Sequence, residues 1–233
     1  MSTIVTGASR GIGRATVEQL LSRGKAVVAV DLDVSPLVEG THRLTIIQGD
    51  AADANVVEAA CLAAGSIQGV VTCAGISRVG ASVDFPRAEW DKVLAINLTA
   101  VFELMRRASE SAAENASFVA VSSVTAVQGF GGRAAYSSSK SAIDGLVRSM
   151  AVELAPKIRV NSVVPGFVMT DIARVNIAEG NIADQEIRAR TPMGRWGEPE
   201  DIASSICFLL GRDSSWITGT SLVVDGGWLS LGL

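Results

Sequence analysis

One histidine, one tyrosine and three cysteines in 233 residues exclude several kinds of chemistry at the outset. The lone His42 lies in a polar loop and cannot anchor a histidine-rich metal site, so no metal centre is expected. Cys61, Cys73 and Cys207 are an odd number of thiols in segments that read as helix or strand interior, which points to reduced core cysteines in a cytoplasmic protein. No apolar run approaches the ~18 residues of a membrane span, and Met1-Ser2-Thr3 leads straight into a strand pattern, leaving no room for a signal peptide. Basic clusters are missing too. The net charge is −4 and no basic run exceeds Arg106-Arg107, so neither a nucleic-acid face nor a membrane-surface helix is indicated. What is plentiful is small and apolar: 48% hydrophobic residues and 23 glycines suit one α/β domain over 1–233, without repeats or linkers.

Short β-branched runs alternate with helical patterns along the whole chain. Thr3-Ile4-Val5-Thr6 reads as a strand, and Gly7-Ala8-Ser9-Arg10-Gly11-Ile12-Gly13 turns it into a helix. Glycines there permit a tight turn and close backbone approach, while the helix N-terminus offers unpaired N–H groups to a pyrophosphate. The spacing is GxxxGxG, which differs from the generic GxGxxG fingerprint. A second strand, Ala26 to Val30, ends in Asp31, where a carboxylate can accept hydrogen bonds from a ribose diol and repel a 2′-phosphate. Arg10 is the competing signal, since it could serve a phosphate. Asp31 weighs more because its place in the strand-helix-strand unit is the more specific.

Further strands are expected at Leu44–Gln48, Gly69–Cys73, Phe118–Val121, Ile158–Val164 and Ser221–Val224. Their carboxyl ends carry Gly49-Asp50-Ala51, Ala74-Gly75, Ser122-Ser123, Pro165-Gly166 and Asp225-Gly226-Gly227, the edge where open α/β sheets bind ligands. Helices are expected from about Asp53 to Ala64, from near Arg87 past Met105, from Tyr136 to Leu154 and from Pro199. The stretch 167–195 has weak periodicity and mixed polarity, as a flap over a site does. The expected fold is therefore a doubly wound, Rossmann-type domain with a mostly parallel seven-stranded sheet.

Within this frame Tyr136 and Lys140 stand four apart, on one face of a helix. A phenol titrates near pH 10, so carrying a proton near neutrality needs a shift of about three units, roughly 4 kcal/mol. One ammonium about 4 Å away at an effective dielectric of ~20 supplies a term of that size. By itself such a pair is more often an accident of helix decoration. Ser123 upstream and Asn97 midway along the long helix give it company, though an amide at Asn97 also suits a cap or a surface position.

Taken together, Thr6-Gly7-Ala8-Ser9-Arg10-Gly11-Ile12-Gly13, Asp31, Asp50, Ala74-Gly75, Asn97, Ser123, Tyr136-x-x-x-Lys140, Pro165-Gly166 with Thr170, and Val224-Asp225-Gly226-Gly227 resemble the short-chain dehydrogenase/reductase family over essentially the full length. Thr72-Cys73-Ala74-Gly75 departs from the family's Asn-Asn-Ala-Gly, with the Thr72 hydroxyl expected to replace an amide in steadying the fourth strand. The resemblance implies that Tyr136 exchanges a proton with the substrate oxygen, Ser123 places that oxygen, Lys140 lowers the tyrosine pKa and holds the nicotinamide ribose, and Asn97 fixes a water leading from Lys140 to solvent. It implies a cofactor bed of Gly7, Ser9, Arg10, Gly11, Ile12, Gly13, Asp31, Asp50, Ala51, Ala74, Gly75, Tyr136, Lys140, Pro165, Gly166, Val168 and Thr170, with NAD preferred over NADP because of Asp31.

The reading is an NAD(H)-dependent oxidoreductase acting on a secondary alcohol or ketone. Its alternatives are an NADPH-dependent 3-oxoacyl thioester reductase and a dinucleotide-sensing regulatory protein without turnover. Ser123, Val124, Gln128, Phe130, Tyr136, Phe167 and Ile172 are expected around the substrate, with Val175 beyond them, so a compact, mostly apolar pocket is anticipated. Arg78, Arg133 and Arg174 argue for an acidic substrate, but each is expected at the solvated surface. The two longest helices look apolar on more than one face, and family members pair them across a two-fold axis, which implies a homotetramer.

Overall fold

Strands form at Ser2–Thr6 (β1), Ala26–Asp31 (β2), Leu44–Gln48 (β3), Ile67–Thr72 (β4), Ala112–Val121 (β5), Ile158–Pro165 (β6) and Ser221–Val224 (β7) in a computed structural model that describes residues 1–37, 42–178 and 183–231. Every pairing is parallel, and the order is β3-β2-β1-β4-β5-β6-β7. The expected "mostly parallel" sheet is thus wholly parallel among the described residues.

Successive side chains of a strand leave opposite faces, and both faces here are buried. Ile4, Val28, Val70, Phe118 and Val160 face one core, shared with Ala54–Ala64 (α2), Ala100–Glu110 (α4) and Ala134–Leu154 (α5). Their neighbours Val5, Ala29, Val71, Val119 and Val163 face the other, shared with Gly11–Ser22 (α1) and Pro199–Leu210 (α8). The strand order reverses between β1 and β4. Connections leave to opposite sides there and open a crevice at the carboxyl edge.

Local sequence explains most boundaries. Asp53 caps α2, accepting the Asn55 N–H at 2.8 Å, and the Glu198/Asp201 capping box with Pro199 starts α8. The single long helix expected from Arg87 is three pieces: Arg87–Leu94 (α3), a π-turn over Ala95–Thr99, then α4. β5 begins six residues earlier than expected, because exposed Glu114 and Asn115, the latter at φ +61°, interrupt the apolar pattern without ending the strand. The flap carries two helices, Asp171–Ala178 (α6) and Asp184–Arg190 (α7). In α7 acidic residues open the first turn and arginines close the last, favourable placements along the helix dipole. Residues 179–182 of that flap, and the side chains of Ile172 and Val175, lie outside what the structure describes.

Candidate active site

The turn after β1 is set by backbone contact. Gly7 sits at φ +63°, and a Cβ there would stand 2.7 Å from the Ala74 nitrogen. A side chain on Gly13 would run into the Gly7 carbonyl oxygen, and one on Gly11, at φ +50°, would press on the Thr170 methyl. Only glycine lets the loop, the end of β4 and the root of the flap meet. The first turn of α1 has neither a side-chain cap nor an acidic residue, so its N–H groups are offered to an outside anion. Ser9 is fully buried, yet its hydroxyl has no hydrogen-bond partner. A cavity of ≈ 370 Å³ opens beside it, lined by Arg10, Gly11, Arg14, Thr170 and Arg174 among others.

Asp31 accepts the Ser9 N–H at 2.9 Å, tying the end of β2 to the loop. Arg10 is paired with Asp33 at 2.6 Å, so the rival phosphate signal is met by a carboxylate of the chain itself. Asp50 accepts the Ala52 N–H at 2.9 Å beside Ala51 at the exposed end of β3. Across the crevice Gly166 lies against Asp225, where a Cβ would come within 2.8 Å of the Asp225 Cα. Val168 bridges Gly197, and the Thr170 hydroxyl accepts the Ala173 N–H at 3.3 Å, capping α6.

The β4 departure resolves unexpectedly. Thr72 Oγ1 is buried without a partner, so it does not replace a family amide. Thr6 Oγ1 takes the Ala74 N–H instead, at 3.3 Å, because the neighbouring strand already presents an acceptor at that level.

Asn97 occupies the π-turn, fully buried, accepting the Ile76 N–H at 2.8 Å and donating to the Ile76 carbonyl at 2.9 Å and to Ser139 Oγ at 3.1 Å. The extra backbone unit of the turn aims the amide across to the chain following β4, which answers the question of a buried amide in an apolar helix. Gly75 keeps this corner open: a Cβ there would lie 3.2 Å from Asn97 Oδ1 and 3.6 Å from Lys140 Nζ.

Ser123, Tyr136 and Lys140 converge where β5 ends and α5 begins. Lys140 is buried and donates to the Val121 carbonyl at 2.7 Å, with its Nζ 5.7 Å from the centre of the Tyr136 ring. Burial lowers the Lys140 pKa to about 8, against the opposing pull of Cys73 and Asp144. Burial also raises the Tyr136 phenol above its ordinary value, more than a hydrogen bond with Ser123 and the charge of Arg133 bring it down. Lys140 is not among the groups that lower it, so the downward shift expected from that ammonium is not found here. Ser123 Oγ itself accepts the Thr125 N–H at 3.2 Å.

Beyond this triad the wall is aromatic. Phe167 packs against Phe130, Trp196 and Trp228 with ring centres 6.1, 5.7 and 4.5 Å apart, and Val124, Val164, Ile187 and Leu229 pack around them. Gln128 is committed, accepting the Trp228 indole N–H at 2.7 Å, and the Arg190 guanidinium lies 4.3 Å over the same indole. Trp228, Trp196, Ile187 and Arg190 escaped the sequence reading. The available signal was a large aromatic directly after the Gly226-Gly227 turn at the binding edge.

A family model described as enoyl-(acyl carrier protein) reductase matches residues 7–229. The curated protein carbonyl reductase [NADPH] 2 of Sus scrofa is 35% identical, over 99% of this chain and 97% of its own length. The chain belongs to the short-chain dehydrogenase/reductase family. A member from Brucella melitensis described as glucose/ribitol dehydrogenase superposes with a TM-score of 0.92 at 34% identity, covering 97% of this chain and 96% of that one. A 4-hydroxyisoleucine dehydrogenase complexed with NADH gives 0.90 at 27% identity, with 99% of each chain covered. Proteins of this family are oxidoreductases acting on CH–OH or carbonyl groups with a nicotinamide dinucleotide.

Proposed function

We propose that this protein is an NAD(H)-dependent oxidoreductase interconverting a secondary alcohol and a ketone. The observation that carries the reading is the meeting of the Ser123 hydroxyl, the Tyr136 phenol and the Lys140 ammonium at one sheet edge, beside a glycine turn that no side chain could enter. The residues present fit the dinucleotide. Gly7, Gly11 and Gly13 admit it to the backbone, the first turn of α1 and the unpartnered Ser9 hydroxyl meet the pyrophosphate region, and Asp31 accepts from a ribose hydroxyl. When bound, the cofactor supplies or accepts the hydride.

The chain's own contribution is positioning and proton transfer. Ser123 hydrogen-bonds the substrate oxygen, and Tyr136 donates its proton to that oxygen in reduction or takes it back in oxidation. Lys140, with its Nζ 5.7 Å from the centre of the Tyr136 ring, holds the nicotinamide ribose. Asn97 keeps the loop after β4 in place and directs the path from Lys140 to solvent. The substrate lies against Val124, Phe130 and Phe167, with Trp228 behind them, so neutral and largely apolar ketones or alcohols are the preferred class.

NAD(H) is favoured over NADP(H) because Asp31 repels a 2′-phosphate and Asp33 neutralises Arg10. The thioester-reductase alternative draws on relatives named (3R)-3-hydroxyacyl-CoA dehydrogenase, such as that of Mus musculus at 34% identity over 96% of this chain, and the sensor alternative is disfavoured by the intact Ser123, Tyr136, Lys140 and Asn97 set. A homotetramer in the cytoplasm completes the proposal. Phe102 and Val152 are exposed on α4 and α5, and no described helix is long and apolar enough to cross a membrane. Steady-state kinetics over ketones, diols, sugars and acyl thioesters with NADH and NADPH test it. The expected results are kcat/KM higher with NADH and with neutral carbonyls, and an Asp31→Ala variant that binds NADH more weakly by roughly 1–3 kcal/mol. Higher efficiency with NADPH, or a tenfold preference for an anionic substrate, would refute the corresponding half.

A further inference from the structure

The stretch 167–195 reads from its sequence as one flap, yet its second helix, α7, is fastened at both ends and in the middle. At the first turn, Asp184 accepts the Trp196 indole N–H at 2.8 Å and pairs with Arg188 one turn on. Trp196 is itself buried edge-on against Phe167, with ring centres 5.7 Å apart. Midway, the partly buried Ile187 packs into the cluster of Val124, Phe130, Phe167 and Trp228. At the last turn, the Arg190 guanidinium lies 4.3 Å over the Trp228 indole. The chain that follows is tied down as well. Thr191 donates its N–H and its hydroxyl to the Ile187 carbonyl at 3.0 and 2.7 Å, and the Met193 N–H donates to the Gly226 carbonyl at 3.1 Å. Gly226 and Gly227 admit this segment because they lack side chains: a Cβ on the first would stand 2.8 Å from the Thr191 methyl, and one on the second 2.9 Å from Pro192. Swinging α7 away would break a hydrogen bond, a cation–π contact and apolar packing together.

We propose that α7 is a fixed roof over the substrate wall and that Ile187 is the specificity-determining residue that limits how bulky a substrate substituent can be. The inference rests on the oxidoreductase reading above and deepens it. Among the described residues, Ile187 is the one member of α7 in the cluster. The same cluster holds Val124, directly after Ser123 in the chain, and Phe130, which precedes the Tyr136 helix, so it borders the catalytic groups. A β-branched side chain is stiff at χ1 and has little freedom to turn aside. Its backbone is held on either side by Trp196 and Trp228 through Asp184 and Arg190, so it has nowhere to withdraw when a larger group arrives. The limit is therefore steric and is set before any ligand binds.

Two measurements test it. Amide hydrogen exchange in the protein without ligand reads the roof: exchange at 187–191 is expected to be at least about a hundredfold slower than in an unstructured chain. It should quicken by roughly tenfold in Trp196→Phe, which keeps a ring on Phe167 but releases Asp184. Unprotected amides in the parent, or no change in the variant, would overturn the fixed roof. The second measurement is kcat/KM with NADH over neutral methyl ketones whose other substituent grows from ethyl through branched alkyl to phenyl. Ile187→Ala should raise the ratio of bulkiest to smallest by about tenfold or more, Ile187→Val by less, and Ile187→Phe should lower it, with NADH dissociation constants unchanged. A residue that only packs would lower thermal stability and leave that ratio at its parental value, and this result would refute the role given to Ile187. If the parent turns over no ketone or alcohol with either cofactor, the oxidoreductase reading fails and takes that role with it, while hydrogen exchange still decides the roof.

Discussion

The carboxyl edge of this sheet is built in two different ways on its two sides. On the β1–β4 side the surface is main chain: Gly7 packs on Ala74, Gly13 on Gly7, and Gly11 on Thr170, so the shape follows from the absence of side chains. On the β5–β6 side it is made of side chains supplied from distant parts of the chain. Phe130, Phe167, Trp196 and Trp228 share one cluster, and Gln128 meets Trp228 across 100 positions. A bed of backbone serves a ligand part that never varies. A wall of side chains can be exchanged without disturbing the bed, which is how one fold comes to host many substrates.

Three changes probe this contrast, in order of size. Gly7→Ala forces a residue into the left-handed region and into backbone 2.7 Å away, neither of which can yield cheaply. It is expected to cost more than about 3 kcal/mol of stability and to abolish NADH binding, read by thermal unfolding and titration. A variant that binds normally would mean that the bed is softer than its geometry.

The second change separates stability from function at the junction of the two sides. The folded pKa of Lys140, about 8, lies below its ordinary 10.5. Between those values the unfolded chain binds a proton that the folded chain does not, so this group makes stability rise with pH across that window. Below about pH 8 both states are protonated and the full penalty, about 3 kcal/mol, persists. Lys140→Met should therefore stabilise the protein at pH 7 by roughly 1–3 kcal/mol, the range allowing for the unpaired Val121 carbonyl. The parent's rise between pH 8 and 10.5 should be absent from the variant, and activity should be lost. Denaturant unfolding across that range decides it, and equal slopes in the two proteins would contradict the assignment.

Smallest is Trp228→Phe, which keeps a ring on Phe167 but removes the donor to Gln128 and weakens the contact with Arg190. We expect about 1 kcal/mol in substrate KM and an unchanged NADH dissociation constant. A change confined to NADH would break the proposed separation of the two sides.

The same contrast explains what could be read from the sequence. The doubly wound seven-stranded sheet, the glycine turn and the placement of Asp31, Ser123, Tyr136 and Lys140 at strand ends or helix starts were legible because each depends on local pattern plus the rules of parallel sheets. The π-turn at Asn97 was not, since a single inserted backbone unit leaves helical periodicity nearly unchanged. Thr72 was misassigned because hydrogen-bond competition between neighbouring strands is decided in space, where Thr6 was already at the right level. The aromatic wall depends on loops meeting in space, and no spacing in the chain announces it.

The central claim, that Tyr136 carries the proton in a hydride-transfer enzyme, is tested most directly by single-turnover oxidation of NADH in the Tyr136→Phe variant. The substitution removes the titrating hydroxyl and almost no volume. The account predicts NADH binding within a few-fold of the parent and hydride transfer slower by at least about a hundredfold. Transfer at near the parental rate would place the chemistry on another group.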